Sequence, residues 1–346
     1  MPIHACCRVS TYRKFSAHLR GAAGLTLLSL LLTGCGTGRS WEVSVGQGNP
    51  ARLAVAPTAD PLRLKVLTFN VWGLPVWING ASPARHDRIA EELEQLGCDV
   101  VLLQEVWTRR SYRALGRAND RRKGEWWTAA ARHERGFLGQ NGLLTLSRYP
   151  IISAKFHPFT TARLPDSLMC KGALRVTLAL GPERFVNVWN THLQEGSPRV
   201  RSRQLEELLG WIEASDQGQL ADIVGGDFNL VPGTEEFVRL QSGVGLSVLE
   251  LAGMAPLPTW DGLGRAPGRS KAIDHIFVGL RQPQGEVAVQ ARRQFGGAVP
   301  ADRLSDHLGL EALLTFRGLE SSSSAALVSY RPPPPAGTAM GSNIDN

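Results

Sequence analysis

Ile223-Val224-Gly225-Gly226-Asp227-Phe228-Asn229 is an apolar run that ends in two glycines, then delivers a carboxylate and an amide two residues apart. Read as a buried strand, its period-two alternation puts Asp227 and Asn229 on one side of a sheet. Both then leave the carboxyl end of a strand, where α/β folds place their chemistry. Gly225 and Gly226 would let a ligand or another strand approach the backbone closely. The same residues would also serve as a turn capped by an Asx side chain. The neighbouring stretches decide between the two.

Upstream, Arg199 to Ile212 carries a helical period, and Arg184 to Thr191 reads as a strand. Leu64 to Asn70, Asp99 to Glu105, Gly142 to Ser147 and Leu174 to Leu180 are further short apolar strands, and Arg85 to Leu96 is a helix with Ile89, Leu93 and Leu96 on one face. Downstream, Ala272 to Val278 and Leu308 to Phe316 complete the strands. Polar residues recur at their ends: Asn70, Glu105, His192, Asp227 with Asn229, Asp274, and Asp306-His307 after Ser305.

Each of these has a plain structural alternative: a capped turn for Asn70, a paired structural carboxylate for Glu105, a satisfied histidine for His192, a solvated loop for Asp306-His307. A carboxylate that ends an apolar strand, as Glu105 does, is costly unless it meets a cation or hydrogen-bond donors. A hard divalent ion wants a few oxygen ligands and keeps several waters, and Glu105 and Asn70 can supply such oxygens. A histidine held by a carboxylate, as His307 by Asp274, deprotonates water near neutral pH. Neutral donors such as Asn229 and His192 suit charge building on phosphoryl oxygens.

In their order Asn70, Gln104-Glu105, Thr191-His192-Leu193, Gly226-Asp227-Phe228-Asn229, Ile273-Asp274 and Ser305-Asp306-His307, these residues resemble the endonuclease/exonuclease/phosphatase superfamily. The resemblance implies a four-layered α/β sandwich of two packed mixed sheets flanked by helices, and phosphoric ester hydrolysis with Mg2+, or Mn2+ in its place. It further implies that Glu105 is the main metal ligand with Asn70 assisting. Asp227 then orients water or binds metal, Asn229 and His192 bind the phosphoryl group, and His307 is the general base, oriented by Asp274 with Asp306 beside it. Phe69-Asn70-Val71-Trp72-Gly73-Leu74-Pro75, Arg85-His86-Asp87-Arg88, Gln104-Glu105-Val106-Trp107 and Lys171-Gly172 look like the neutral sphingomyelinases. On that branch a phospholipid is the expected substrate and Lys171, five residues after Asp166, neutralises a substrate phosphate or is an exposed loop lysine. Trp72, Leu74, Val76, Trp77 and Ile78 would either dip into a lipid interface or cover the core, and Trp126-Trp127 reads more as core. A nuclease of the same fold is the alternative, with Arg109, Arg110, Arg113, Arg117, Arg121 and Arg122 lining a basic groove. An inositol-phosphate phosphatase and a non-catalytic binding protein remain open, since fold does not set substrate.

The chain of 346 residues, 43% hydrophobic and 20% charged, is long enough for a full-sized core. Its net charge is +7, but Arg8, Arg13, Lys14 and Arg20 lie in the first 34 residues with no acid, which leaves +3 for the rest. That excludes the dense charge stripe of a dedicated DNA binder. Residues 1–34 read as an export signal whose apolar stretch is too short to span a bilayer. They end in Leu32-Thr33-Gly34-Cys35, which resembles a bacterial lipoprotein signal with Cys35 lipidated, so a membrane anchored through Cys35 is an expected partner. Gly36 after that cysteine leans towards the outer membrane. An ordinary cleaved signal peptide or a short anchor are the alternatives. Residues 35–60 read as a flexible tether, 61–318 as one catalytic domain, and 319–346, with its serine and proline runs, as a disordered tail. The five cysteines show no paired or metal-like spacing, and a monomer is expected.

Overall fold

The structure is a computed structural model that describes residues 41, 43–48, 61–75, 84–116, 126–131, 139–181, 183–215, 218–264, 269–296 and 303–319. Twelve strands among these residues form two mixed sheets. The strands are β1 (Val43–Gly46), β2 (Leu62–Asn70), β3 (Val100–Gln104), β4 (Trp127–Ala131), β5 (Leu144–Ser147), β6 (Ile151–Pro158), β7 (Gly172–Gly181), β8 (Arg184–His192), β9 (Ala221–Asp227), β10 (Asp274–Leu280), β11 (Glu286–Gln294) and β12 (Gly309–Arg317). The helices are α1 (Ala84–Leu96), α2 (Arg109–Gly116), α3 (Pro198–Glu213), α4 (Glu235–Gly243) and the short α5 (Val248–Leu251). One sheet runs β1-β4-β5-β3-β2-β12-β11, the other β10-β9-β8-β7-β6.

Alternation along the strands builds the layers. Leu64 and Val66 of β2, and Val100 and Leu102 of β3, point between the sheets towards Val176, Leu178, Val188 and Ile223. Their neighbours Leu67, Phe69, Val101 and Leu103 point the other way, against Ile89 and Leu93 of α1. On the second sheet Trp189 and Val224 face outward beneath Leu205 and Leu208 of α3 and Phe237 and Leu240 of α4. Each fully buried side chain of this size is worth about 1.5–3 kcal/mol relative to exposure. The result is the expected four-layered α/β sandwich.

Two pairs are parallel, β2 with β3 and β8 with β9. The parallel registers set Asn70 opposite Gln104 and His192 opposite Asp227. Strand β10 runs antiparallel to β9 and sets Asp274 opposite Asp227, while β12 enters antiparallel to β2 two residues after His307. All the polar strand ends therefore arrive at one edge of the sandwich.

Three expectations need correction. Val43–Gly46, placed in the tether by composition, is a strand of the first sheet, paired antiparallel with Ala131 to Thr128, and Trp41 packs edge-on against Phe156 with ring centroids 4.8 Å apart. Four residues among glycines carry too little local signal for a strand whose only support is a distant partner. Cys170 is disulfide-bonded, its partner outside the described residues, although cysteine spacing suggested no pairing. The glycines of β9 serve sheet packing and not a ligand. A Cβ at Gly225 would lie 2.6 Å from Leu102 Cδ1 of the facing sheet, and one at Gly226 would collide with Thr191 O of β8. Trp126 and Trp127 are core residues. No helix among the described residues is long and apolar enough to cross a membrane. Cys35, the export signal, Trp77 and nearly all of the tail lie outside the described residues.

Candidate active site

Asn70, the last residue of β2, ties the two sheets together at this edge. Its amide nitrogen donates to Glu105 Oε1 at 3.1 Å and to Asp227 Oδ2 at 3.0 Å, and its side-chain oxygen accepts from Trp72 N–H at 2.9 Å. Its backbone carbonyl accepts from Ser305 Oγ at 2.7 Å, which brings the Ser305-Asp306-His307 turn alongside. The same hydroxyl accepts His307 N–H at 3.2 Å.

Glu105 is not the end of its strand. Gln104 ends β3, and Glu105 follows with φ +59°, a conformation that non-glycine residues hold only when their surroundings impose it. Trp107 Nε1 donates to its second oxygen at 3.3 Å. Gly142 makes room for that indole, since a Cβ there would lie 2.6 Å from the Trp107 ring. Asn229 likewise lies beyond its strand, at φ +52°, so alternation is not what orients it. Its N–H instead closes a turn on Asp227 Oδ1 at 3.0 Å, and its amide donates to Leu193 O at 3.1 Å. The strand and the Asx turn, taken as alternatives from sequence, are both present in succession.

His307 Nδ1 meets Asp274 Oδ2 at 2.8 Å, and its Nε2 faces Asp227 Oδ2 at 3.7 Å, too long for a hydrogen bond. Burial works to lower the His307 pKa, but Asp274, Asp227 and Asp306 outweigh it and hold the ring well above the usual histidine value. Asp227 is pushed up to about 7 by burial and then by Asp274, against the pull of His307 and the Asn70 hydrogen bond. His192 Nε2 stands 3.5 Å from Asp227 Oδ2 and accepts from Lys171 Nζ at 3.0 Å, since an ammonium only donates. Burial, then Lys171 and His307, push His192 well below its ordinary value, so the ring is neutral.

Lys171, just before β7, is buried at 4% exposure and is not an exposed loop lysine. Its other two protons go to Asp166 Oδ2 at 2.8 Å and Leu193 O at 3.0 Å, which leaves none for a phosphate in this arrangement. Asp166 also accepts Glu195 N–H at 2.9 Å, so the pair clamps the β8–α3 loop beside His192.

The donor set around Glu105 fits a hard divalent cation. Burial first, then repulsion from Asp306, raise the Glu105 carboxyl, and among the described residues no cation forms an ion pair with it. The Glu105 and Asp227 carboxylates, drawn together by the Asn70 amide nitrogen, supply the oxygens that Mg2+ prefers, while the Asn70 oxygen is turned to Trp72 N–H and would have to turn to join them. Asp227, Asp274 and His307 also bring one ligand atom each within 4.8 Å of one another. There the short bond from His307 Nδ1 engages Asp274 Oδ2, leaving Oδ1 buried without a partner among the described residues, and we read that group as an oriented base.

Sequence reasoning quoted Arg85 in the Arg85-His86-Asp87-Arg88 resemblance but gave it no role. It is 8% exposed, and its guanidinium donates to Val71 O at 2.6 Å, to Trp72 O at 2.8 Å and to Leu304 O. It thus clips the chain after Asn70 to the chain before Ser305. A lone arginine at the start of an amphipathic helix gives no signal of this. The buried amides Gln104 and Asn190 were also unremarked. Gln104 Nε2 donates to Asn190 Oδ1 at 2.8 Å, and Asn190 Nδ2 to Leu103 O at 3.1 Å and Leu144 O at 3.2 Å, joining the sheets just beneath the site.

Comparison with known proteins agrees with this geometry. The description of the Endonuclease/Exonuclease/phosphatase family matches residues 67–307. A putative neutral sphingomyelinase of Drosophila melanogaster is 28% identical over 188 residues, 49% of this chain and 40% of that protein. Human sphingomyelin phosphodiesterase 2 is 27% identical over 234 residues, 64% of this chain and 52% of that one. An inositol phosphosphingolipids phospholipase C of Schizosaccharomyces pombe is 26% identical over 182 residues, 49% and 42% respectively. The chain thus spans about half the length of these relatives. Among solved structures, sphingomyelinase C from Streptomyces griseocarneus aligns with TM-score 0.55 at 19% identity over 73% of this chain and 99% of that one. A beta toxin variant from Staphylococcus aureus with bound magnesium ions gives 0.56 at 18% over 72% and 99%. TDP2 from D. rerio, complexed with a single-strand DNA product, gives 0.57 at 18% over 74% and 99%. With its paired sheets, its edge of convergent polar strand ends and a match across most of the folded residues, the chain belongs to the Endonuclease/Exonuclease/phosphatase family.

Proposed function

We propose that the protein is a Mg2+-dependent phosphodiesterase of the phospholipase C type, acting on phosphosphingolipids such as sphingomyelin. Water attacks phosphorus, the bond to the lipid oxygen breaks, and the lipid leaves as an alcohol. The observation that carries this reading is the His307–Asp274 pair, 2.8 Å apart, aimed towards Asp227 beside a carboxylate pair without a counterion. The sphingomyelin-cleaving relatives support the lipid substrate.

Glu105 would hold the ion, with Asn70 assisting, and the ion would polarise a phosphoryl oxygen and steady the leaving alkoxide. In its neutral form, which the surrounding carboxylates disfavour by raising its pKa, His307 takes a proton from the attacking water at Nε2, while Asp274 keeps Nδ1 protonated and stabilises the ring once charged. Asp227 orients the water. Asn229 keeps one amide proton beyond its bond to Leu193 O, and with His192 it offers neutral donors to the charge growing on the phosphoryl oxygens. Lys171, engaged by Asp166, sets the orientation of His192.

The test is headgroup release from sphingomyelin and from inositol phosphosphingolipid vesicles, with Mg2+ or EDTA, by wild type and His307→Ala. Metal-dependent release that the variant loses is the expected result; absence of release with either lipid overturns the reading. Leu32-Thr33-Gly34-Cys35 supports envelope anchoring of a monomer through lipidated Cys35, and Cys35→Ser is expected to move the protein from the membrane to the soluble fraction.

A second reading is hydrolysis of DNA phosphodiesters. Helix α2 starts four residues after Glu105 and exposes Arg109, Arg110 and Arg113, a cationic face that suits a nucleic acid backbone. Arg117, Arg121 and Arg122 lie outside the described residues. Salt-sensitive nicking of plasmid, without lipid cleavage, would select it.

A further inference from the structure

Beside the base, three backbone segments run together. Trp260 bridges Lys271 on one side and His307 on the other, both antiparallel. The bridge to Lys271 is closed by Lys271 N–H on Trp260 O at 2.8 Å and Trp260 N–H on Lys271 O at 2.9 Å. Residues directly opposite in antiparallel pairs share a face. His307, Trp260 and Lys271 therefore form one row, from the base outward. Trp260 is partly exposed and Lys271 fully so, with Nζ 5.5 Å from the centroid of the indole.

Among the described residues no carboxylate forms an ion pair with that ammonium. The adjacent carboxylate, Asp261, is paired with Arg303. Neither Lys271 nor exposed Arg269 has an ion pair among the described residues. An aromatic face next to a phosphodiesterase centre is the ordinary place for a quaternary ammonium, which is attracted to the ring's negative face. Here a resident cation already holds it, and a second cation would be repelled. A headgroup rich in oxygen acceptors would instead receive protons from Nζ.

We propose that Trp260 and Lys271 form a headgroup subsite that selects substrates carrying a hydroxyl-rich group on the scissile phosphate, of the inositol kind, over those carrying a quaternary ammonium. This rests on the phosphosphingolipid reading above and adds the side of the phosphate that the lipid does not occupy.

The experiment measures binding of myo-inositol 1-phosphate and of phosphocholine to the full chain in Mg2+, by calorimetry, for wild type, Lys271→Met and Lys271→Met/Trp260→Leu. Wild type is expected to bind inositol phosphate about tenfold more tightly, the scale of one charge-assisted hydrogen bond. In Lys271→Met the ratio falls to about one, because inositol phosphate weakens and phosphocholine gains the freed indole; the double variant loses that gain. Equal or tighter binding of phosphocholine by wild type, or a ratio that Lys271→Met leaves unchanged, overturns the proposal. Vesicle hydrolysis runs in parallel. A ratio that shifts as expected without lipid cleavage keeps the subsite and removes the phospholipase reading.

Discussion

His86 is 6% exposed, and neither ring nitrogen has a partner among the described residues. Burial, then Arg85 and Arg110, lower its pKa to about 4. The folded protein therefore keeps this ring neutral, while the unfolded chain protonates it below about 6.5. The sign follows: stability is whole above pH 6.5, falls as pH drops towards 4, and stops falling there, by at most about 3 kcal/mol. His86→Leu is expected to flatten the acid side of a urea-midpoint profile over that window relative to wild type. Glu105 pulls the other way from most site residues, since it is both strained in backbone and raised in pKa. Glu105→Gln is expected to stabilise the metal-free protein by about 1 kcal/mol by removing a buried charge, and to abolish the rise in melting temperature that the proposed Mg2+ site predicts for wild type. The identities of these residues were legible because each polar side chain interrupts an apolar run. Their conformations were not. Glu105 and Asn229 both lie in left-handed backbone, which the sequence does not announce when the residue is not glycine.

Among the elements, the strands legible in sequence are mostly buried apolar runs, so their composition marks them: β2, β3, β5, β7, β8, β9, β10 and β12. Strand β11 alternates exposed and half-buried residues at the sheet's edge, and its charged outer face hid the pattern. Strand β4 reads Trp-Thr-Ala-Ala-Ala, where small residues fit because the packing is tight and not because they favour strands. Helix α1 was legible from its apolar face, but its most consequential residue, at the start of that buried face, is charged. Arg85 offsets three backbone carbonyls in two separate loops. Arg85→Met would leave those carbonyls buried and unmatched, and is expected to cost about 3 kcal/mol in denaturant unfolding. Arg85→Lys, which keeps the charge but not the fork, should recover only part of that.

The molecule as a whole divides its site between its sheets. Asn70 and Glu105 come from β2 and the end of β3; His192, Asp227 and Asp274 come from β8, β9 and β10. Among the described residues, side-chain bonds from Asn70 to Asp227, from Gln104 to Asn190, from Asn190 to the Leu103 and Leu144 carbonyls, and between His307 and Asp274 bridge the halves at this level. The order of motifs along the chain made the set of residues recognisable, but which partners meet depends on a docking that no local window encodes. Hydrolytic turnover is thus a clock for the last step of self-assembly. Were each sheet to form before the two dock, backbone circular dichroism would recover ahead of activity, because the site residues come from both. During refolding, catalysis should lag behind backbone signal, and Asn190→Leu, which strips the amide from the seam, should lengthen that lag without slowing the earlier phase. Coincident recovery of both signals in the wild type would mean that the two sheets form and mate in a single event.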